Sequence, residues 1–274
     1  MFVHRYTLVP RRALSTLAGA RPRHGALVRV GDGFGDIHPW PELGDAPLDE
    51  QLARLARGEV TGLTARTLAC TVVDGDARRE GRSLFDGLTI PRSHWSGDDP
   101  PPGFDTVKLK SIDRIPPDVR LRLDFNAQLT PEAFLYMAEA LPRERVDFVE
   151  DPCPYDAATW SALREATGLR LALDRGTAEE GVDVLVVKPA VQDMPRTAKP
   201  IVVTAYMDHP IGQFFAAFVA AQLDGTHGLF THVLYEPDDF LDAIRADGAR
   251  LLPPAGTGLG FDRLLEALPW KRLA

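Results

Sequence analysis

Charged side chains follow a series of short apolar segments in the second half of the chain. Two lysines come first, three carboxylates follow, and another lysine closes the series. The residues are Lys108, Lys110, Asp124, Glu150, Asp174 and Lys188. Three carboxylates are the oxygen-rich donor set that a hard divalent cation such as Mg²⁺ prefers, and a lysine beside such a cation can act as a base. The set predicts removal of a proton next to a substrate carboxylate, followed by elimination or epimerisation.

The spacing of these residues indicates that their side chains point into the protein. Side chains alternate between the faces of a strand, so Lys108 and Lys110 share one face, as do Arg122, Asp124 and Asn126. The intervening Val and Leu residues then face a covering layer. Charges on an inner face are costly unless they are paired or bound to a metal. Five segments end in such a charge, at the strand ends where barrel enzymes place their active sites.

Each charge has a simpler interpretation when it is taken alone. An acidic residue at a strand end often caps the next helix or forms a turn, and a Lys-x-Lys pair often protects an edge strand. Lys188 before a proline is a weaker signal still. The combination, three consecutive carboxylates flanked by lysines, favours a functional site.

The elements that must position this site alternate between strands and helices. Apolar strand-like segments recur at 106–111, 119–126, 145–152, 169–174, 182–189 and 200–206, with helical patterns at 131–141, 156–167 and 211–223. Such alternation predicts a parallel sheet, and six or more strands favour a closed barrel over a doubly wound sheet. No dinucleotide or P-loop fingerprint is present, and GTGLG (256–260) follows the sheet instead of opening it.

The chain divides into three predicted regions. Residues 1–98 read as a mixed α+β domain, and the turn-rich SGDDPPPG (96–103) reads as a linker. Residues 104–252 form the predicted parallel β/α barrel with its strand-end site. Residues 253–274 are expected to pack back on the barrel or on the first domain.

The amino-acid composition limits the kinds of molecule that this protein is expected to bind. The 274 residues carry 31 basic and 39 acidic side chains, a formal charge of −8, which argues against nucleic acid and basic membrane-surface binding. No apolar run is long enough for a membrane span, and the N-terminus lacks an apolar signal core, so a cytoplasmic location is expected. Two cysteines, Cys70 and Cys153, cannot form a disulfide framework. The expected partner is a small carboxylate, and the chain is expected to be a monomer or a homodimer.

These motifs resemble those of one enzyme family. The segments VKLKS, LRLDFN, VDFVEDP, LALD and VVKP resemble the successive strand ends of the enolase superfamily, in its muconate-lactonising-like branch. GDGFGDIHPWPELGD is similar to the loop of that family's N-terminal capping domain. The RLDFN strand and the segment HGLFTHVLYEPDDF point to the o-succinylbenzoate synthase family within it. The implied fold is a modified, helix-depleted TIM-type (β/α) barrel with an N-terminal α+β capping domain.

The resemblance also implies roles for single residues. Asp124, Glu150 and Asp174 would bind Mg²⁺, with Mn²⁺ as a substitute. Lys110 would be the acid and base, and Lys188 would stabilise an enediolate through a cation–π contact. Lys108, Arg122 and Asn126 would either support the metal site or contact the substrate carboxylate. Thr204 and Tyr206 are further candidates for substrate binding. The implied reaction is the dehydration that forms o-succinylbenzoate in menaquinone biosynthesis.

The connectors are shorter than such a barrel normally requires. Parallel crossovers usually take a dozen or more residues, generally with a helix. The segments 111–118, 175–181 and 190–199 are short and contain Pro116, Pro117, Gly176, Gly181 and Pro195, so we expect them to be extended. Other groups must then cover the outward strand residues, which are Val107, Leu109, Leu121, Leu123, Val187 and Val203. The connectors, the segment 261–270 or a second subunit could do so.

Some questions stay open at this level. TAYMDHPIG departs from the family's pattern, so substrate contacts by Met207 and His209, as well as Thr204 and Tyr206, are uncertain from sequence. Structural roles are favoured for His209, His227 and Cys153, and a structural loop role is as plausible as a substrate contact for His38. An N-succinylamino acid racemase or dipeptide epimerase would use the same ligands with two lysine bases. A non-catalytic barrel scaffold is the remaining alternative.

Overall fold

The N-terminal region is an antiparallel sheet with two helices against it. The computed structural model describes residues 1–14, 18–178 and 180–274. The strands are β1 (Phe2–Leu8), β2 (Arg23–Val30) and β3 (Gly33–Ile37), and the helices are α1 (Leu48–Ala56) and α2 (Gly62–Arg79). Thr61 caps α2 by accepting a hydrogen bond from the Thr64 amide, and the Thr64 hydroxyl accepts one from the Thr61 amide in return. We call this sheet and its helices the capping domain.

Glycines in the GDGFG segment let α2 lie directly on β3. A Cβ atom at Gly35 would stand 2.6 Å from the carbonyl oxygen of Thr67 on α2, which is closer than any real contact. A Cβ atom at Gly33 would likewise collide with the carbonyl oxygen of Thr71. Glycine at these two positions thus allows a close approach between helix and strand, which any side chain would prevent.

The second region is a parallel sheet of seven strands in the described residues, and it curls into a barrel. Its strands are β4 (Trp95–Ser96), β5 (Thr106–Leu109), β6 (Arg120–Asp124), β7 (Val146–Glu150), β8 (Leu171–Asp174), β9 (Val184–Val187) and β10 (Ile201–Val203). They lie in the spatial order β10-β9-β8-β7-β6-β5-β4, so each strand pairs with its neighbour in sequence. The fold predicted from the sequence, a helix-depleted barrel with a capping domain, is confirmed.

A two-residue segment, His227–Gly228, closes the ring, and we call it the seam. Gly228 donates its amide to the Val203 carbonyl at 2.8 Å, and its own carbonyl accepts from Ala205 at 2.9 Å. On the other side, the His227 carbonyl accepts from the His94 amide at 2.8 Å. The seam is thus hydrogen-bonded to segments beside β10 and beside β4, and it occupies the position of an eighth strand.

Gly228 should be sensitive to a single added methyl group. A Cβ atom there would lie 2.6 Å from Thr204 Cγ2 and 2.8 Å from His94 Cε1. We expect Gly228→Ala to lower the free energy of unfolding by about 1–3 kcal/mol through overpacking, measured by urea denaturation. Gly62→Ala is the matched control, because a Cβ atom at that position meets nothing within 4 Å. Equal stability of the two variants would contradict a tightly packed seam.

The helices around the barrel are incomplete. The described residues place α3 (Pro131–Glu139) after β6, α4 (Ala157–Thr167) after β7 and α5 (Pro210–Ala220) after β10. No helix lies in the described residues of the connectors 111–118, 175–181 and 190–199; residue 179 lies outside the described residues. The expectation that these connectors lack the usual helices is confirmed for the part that is described, and their backbone consists of turns, bends and irregular segments.

The outward faces of the strands are nevertheless covered. All six strand residues expected to need cover are at most 4% exposed. Ile112 and Ile115 from the first short connector and Ala178 from the second pack against the cluster that contains Leu121 and Leu123. Val203 lies instead in a cluster with Phe261 and Leu265 of the C-terminal segment. The connectors and the C-terminal segment thus replace the absent helices within one chain.

The remaining elements tie the two regions together. They are α6 (Asp239–Asp242), β11 (Ala246–Asp247), β12 (Arg250–Leu251), α7 (Asp262–Ala267) and β13 (Lys271–Arg272). β13 pairs with β1, so the end of the chain joins the capping sheet. β4 belongs to the barrel sheet although it precedes most of the linker predicted at 96–103. In the described part of the chain, no helix has the length and apolarity that a membrane crossing requires.

Candidate active site

The charged strand ends line one cavity at the mouth of the barrel. The strand register sets Asp124 beside Glu150, and both residues are buried, at 6% and 2% exposure. Asp174 follows on the next strand, β8. Parallel strands all end at the same edge, so their terminal side chains come together there. The cavity has a volume of about 730 Å³, and the lysines and carboxylates singled out in the sequence all line it.

Two of the three lysines are paired with these carboxylates. Lys108 Nζ lies 2.9 Å from Asp124 Oδ2 and 2.7 Å from Glu150 Oε1. Burial alone would lower the pKa of Lys108, but the neighbouring carboxylates reverse that effect and raise it well above the usual value. Lys188 is paired with Asp174. Lys108 is thus a permanent cation at the base of the cavity, unsuited to accept a proton.

Lys110 stands in a different environment on the same strand end. Its Nζ lies 3.4 Å from the carbonyl oxygen of Leu14, and it makes no ion pair with a carboxylate in the described residues. Burial lowers its pKa, and the positive charges of Lys108 and Lys188 add to the effect, against the opposing pull of Asp124. A lysine whose charged form is disfavoured is the one suited to take up a proton.

The carboxylates crowd one another. Burial raises the pKa of Glu150 to about 7, with Asp124 and Asp174 adding to the rise and Lys108 opposing it. Burial also raises the pKa of Asp151 to about 8, followed by the charges of Glu150 and Asp174. Asp124 is the exception, since Lys108 overcomes the effect of burial and lowers its pKa. Burial is the largest cause of both raised pKa values, and the neighbouring carboxylates add to it.

The expectation that the three carboxylates converge on one cation position is not met by the side chains as placed. In the described residues no three His, Cys, Asp or Glu side chains are arranged to hold a metal ion. The physical reason is that Lys108 lies between Asp124 and Glu150, and Lys188 is held by Asp174. The donor set itself fits Mg²⁺, because it consists of three carboxylates on adjacent strands, of which Asp124 and Glu150 are buried and Asp174 is partly buried.

The predicted substrate contacts divide into two groups. Lys108, Asn126 and Thr204 line the cavity, but Arg122 and Tyr206 are not among its lining residues in the described chain. Arg122 lies beneath the floor, where it donates to Asp147 Oδ2 at 2.9 Å and to His94 Nδ1 at 3.1 Å. Tyr206 turns toward the capping domain and donates its hydroxyl to Asp45. Arg122 thus occupies a supporting position, which is one of the two roles expected for it, and the substrate contact expected for Tyr206 stays a prediction.

The histidines named in the sequence have structural surroundings. His209 caps α5 by accepting from the Ile211 amide, and His227 accepts from the Val203 amide at 3.0 Å. His38 is 1% exposed and is hydrogen-bonded to Tyr6. Cys153 is buried and free. Met207, by contrast, lines the cavity.

The sequence motifs did not point to several other residues that line the cavity. Arg12, Trp40, His94, Asp151 and Arg175 line it as well. Asp151 and Arg175 each follow a proposed metal ligand directly and adopt left-handed backbone conformations, with φ of 43° and 54°. Their position after strand-end carboxylates was the available signal. Arg12 and Trp40 come from the capping domain, and no local pattern indicates where its loops lie.

Comparison with known families gives two matches along the chain. Residues 1–77 match the family "O-succinylbenzoate synthase, N-terminal domain", and residues 92–180 match "Enolase C-terminal domain-like". The o-succinylbenzoate synthase of Bdellovibrio bacteriovorus is 34% identical over 321 aligned residues, which cover 98% of this chain and 97% of that protein. The o-succinylbenzoate synthase of Proteus mirabilis is 31% identical over 126 residues, covering 41% of this chain and 36% of that protein.

Solved structures share the fold at low sequence identity. A mandelate racemase/muconate lactonizing protein from Herpetosiphon aurantiacus has a TM-score of 0.74 at 16% identity, covering 94% of this chain and 96% of that one. A dipeptide epimerase from Enterococcus faecalis, solved with Mg and the dipeptide L-Leu-L-Tyr, has a TM-score of 0.74 at 15% identity, with coverage of 94% and 97%. These likenesses concern the architecture alone.

Proposed function

The chain belongs to the o-succinylbenzoate synthase family of the enolase superfamily, and from that membership we propose that it is a lyase that forms o-succinylbenzoate. The substrate would be 2-succinyl-6-hydroxy-2,4-cyclohexadiene-1-carboxylate, and the reaction is a syn loss of water in menaquinone biosynthesis. The proposal includes a cytoplasmic location and no nucleic-acid or membrane partner, in keeping with the acidic composition.

The observation that carries the proposal is the contrast between Lys110 and Lys188 across one cavity. The strands that bear the carboxylates, β6, β7 and β8, lie between β5 and β9, so the two lysines approach from opposite walls. Lys188 is paired as an ammonium with Asp174, but Lys110 has a lowered pKa and no carboxylate partner in the described residues. One wall offers a base, and the other offers a fixed positive charge.

The proton moves on one face of the substrate ring. The neutral amine of Lys110 takes the proton from the carbon next to the carboxylate, and that carbon–hydrogen bond supplies the electron pair of the enediolate. The same lysine, now an ammonium, returns the proton to the departing hydroxyl group, so the carbon–oxygen bond breaks and water leaves. Aromatisation of the ring drives the second step. The Lys188 ammonium stabilises the negative charge from the opposite face.

Asp124, Glu150 and Asp174 are the residues that would hold Mg²⁺, or Mn²⁺ in its place. When bound, the metal supplies positive charge to the substrate carboxylate as that group gains electron density. The cavity-lining residues Asn126 and Thr204 are proposed to contact the substrate, and Lys108 to hold the carboxylates in place.

The competing activity is epimerisation, by an N-succinylamino acid racemase or a dipeptide epimerase. Such a reaction needs two lysine bases on opposite faces, and the opposed walls of the cavity are compatible with it. The pairing of Lys188 with Asp174 favours the dehydratase, because that reaction needs a positive charge and no second base on this wall. A non-catalytic scaffold is disfavoured, because buried charges that bind nothing are costly to retain.

A direct assay tests the proposal. The protein with Mg²⁺ and the cyclohexadiene substrate is expected to produce the aromatic product, followed by its ultraviolet absorbance. In parallel, N-succinyl amino acids in deuterated water are followed by loss of optical rotation and by deuterium uptake. Rapid racemisation without any aromatic product would favour the alternative, and the absence of both activities would favour the scaffold.

A further inference from the structure

Two carboxyl groups outside the cavity meet at the contact between the capping domain and the barrel. Asp36 lies on β3, and Asp208 lies in the loop between β10 and α5. Both are buried, at 8% and 1% exposure. They converge on Gly212 in the first turn of α5, where an added Cβ would collide with Asp208 and reach Asp36 Oδ2 at 3.0 Å. The missing side chain at Gly212 makes room for both groups.

The hydrogen bonds of the two groups differ. Asp36 uses both oxygens, because Oδ1 accepts from the Tyr6 hydroxyl at 2.6 Å and Oδ2 accepts from the His209 amide at 3.1 Å. Asp208 Oδ1 is buried with no hydrogen-bond partner in the described residues. Neither group forms an ion pair with a lysine or arginine in the described part of the chain. Two negative charges would thus stand side by side without a compensating cation.

Electrostatics makes a doubly ionised pair costly. Like charges in a buried site raise each other's pKa, and sharing one proton leaves a single charge to be stabilised. The N-terminus of α5, an eleven-residue helix that begins at Pro210, lies beside the pair and favours one negative charge. Burial raises the pKa of Asp36 to about 7, and burial followed by the charge of Asp36 raises the pKa of Asp208 well above its usual value.

The loop that contains Asp208 forms part of the cavity wall. Ala205 and Met207 line the cavity, and Met207 has a left-handed backbone with φ of 52°. Trp40 of the capping domain donates its indole N–H to the Tyr206 carbonyl at 3.0 Å. The Tyr235 hydroxyl donates to the Met207 carbonyl. Hydrogen bonds therefore hold the wall at Tyr206 and at Met207. Asp36 adds a third hydrogen bond, which it accepts from the His209 amide.

We propose that Asp36 and Asp208 share one proton and act as a positioning pair, which holds the 205–209 wall of the cavity against the capping domain. Asp36 is the acceptor that fixes the wall, and Asp208 carries the proton. The titratable groups near the pair are Tyr6 on β1, His38 after β3, Cys70 on α2, His209 before α5, and Tyr235. Arg23 on β2 is paired with Glu42, and its charge acts on His38 and Tyr235. The effect on stability is independent of the reaction, and only the kinetic effect rests on the proposed function.

The pair predicts how stability depends on pH. A carboxyl group with a raised folded pKa keeps its proton while the unfolded chain ionises above about pH 4. Because Asp208 keeps its proton in the folded state, the free energy of unfolding should then fall as the pH rises above about 4. Asp208→Asn imitates the protonated partner, so we expect it to match the wild-type Tm at pH 5 and exceed it at pH 8.

The variant at the other member should behave differently. Asp36→Asn offers one oxygen to two donors, the Tyr6 hydroxyl and the His209 amide, so its Tm should fall at both pH values. Its KM should rise several-fold with a smaller change in kcat. The reason is that the substitution displaces the 205–209 wall of the cavity and leaves the base, Lys110, in place. Asp32→Asn, an exposed change in the same domain, is the control and should leave Tm and KM unchanged.

Each outcome decides the proposal. Equal loss of Tm at pH 5 in Asp208→Asn and Asp36→Asn would overturn it, as would a pH dependence of Asp208→Asn that matches the wild type. If the wild type does not dehydrate the substrate, the proposed function fails, and the Tm measurements still test the pair.

Discussion

Replacing Lys110 with alanine is expected to lower kcat by about 10³- to 10⁴-fold while the protein stays folded. The side chain would serve as the base in the first step and the acid in the second, and each role is worth about 10²- to 10⁴-fold. Lys110 makes no ion pair in the described residues, so its removal leaves no carboxylate without a partner. Steady-state rates of aromatic product formation measure the effect, with circular dichroism to verify the fold.

A second variant separates the two lysines. Lys188→Ala should also be severely impaired, through loss of positive charge opposite the base, but Lys110 remains able to exchange the substrate α-proton with deuterium from the solvent. Lys110→Ala should not exchange it. The exposed Lys271→Ala is the control and should keep wild-type rates. Wild-type exchange in Lys110→Ala would show that the base is misassigned.

Removing the divalent metal is expected to abolish activity, and changing one of its ligands should cost about 10³-fold in kcat/KM. Glu150→Gln tests this at the centre of the set, because it removes one anionic oxygen and keeps the volume of the side chain. Lys108 retains Asp124 as a partner in the variant, so the cavity floor should remain folded. Activity measured against Mg²⁺ concentration, after treatment with EDTA, gives the required comparison.

The control for the metal experiment is Glu165→Gln, an exposed change of the same chemistry on α4. The activity of this variant should depend on Mg²⁺ concentration as the activity of the wild type does. Calorimetric titration of Mg²⁺ separates lost binding from lost catalysis. Full activity of the wild type in EDTA, or unaltered Mg²⁺ binding by Glu150→Gln, would remove these carboxylates from the role of metal ligands.

The strand ends were the most predictable part of the molecule. A period of two along each strand assigns a residue to the inner or the outer face, and it placed Lys110 and Asp124 correctly on the cavity side. The short, proline-containing connectors were equally informative, because too few residues were present for a helix and a turn. Both inferences depend only on local geometry and chain length.

Depth along the barrel could not be predicted in the same way. Arg122 shares the inner face with Asp124 but lies one layer lower, where it meets His94 and Asp147. Periodicity assigns the face and gives no measure of distance from the mouth. Contacts between the capping domain and the barrel could not be predicted from the sequence either, since Asp36 and His209 lie 173 positions apart. Such pairs depend on the complete fold, and no local pattern encodes them.

The seam at His227–Gly228 has a consequence for how the chain is made. Leu229, the residue after the seam, is bonded to Ser93, 136 positions earlier. During synthesis all seven parallel strands therefore leave the ribosome before the residues that close the ring. Until then the sheet has two free edges, at β4 and β10, and free edges can pair with other chains. These edges are only two and three residues long, which offers a nascent neighbour very little backbone to pair with.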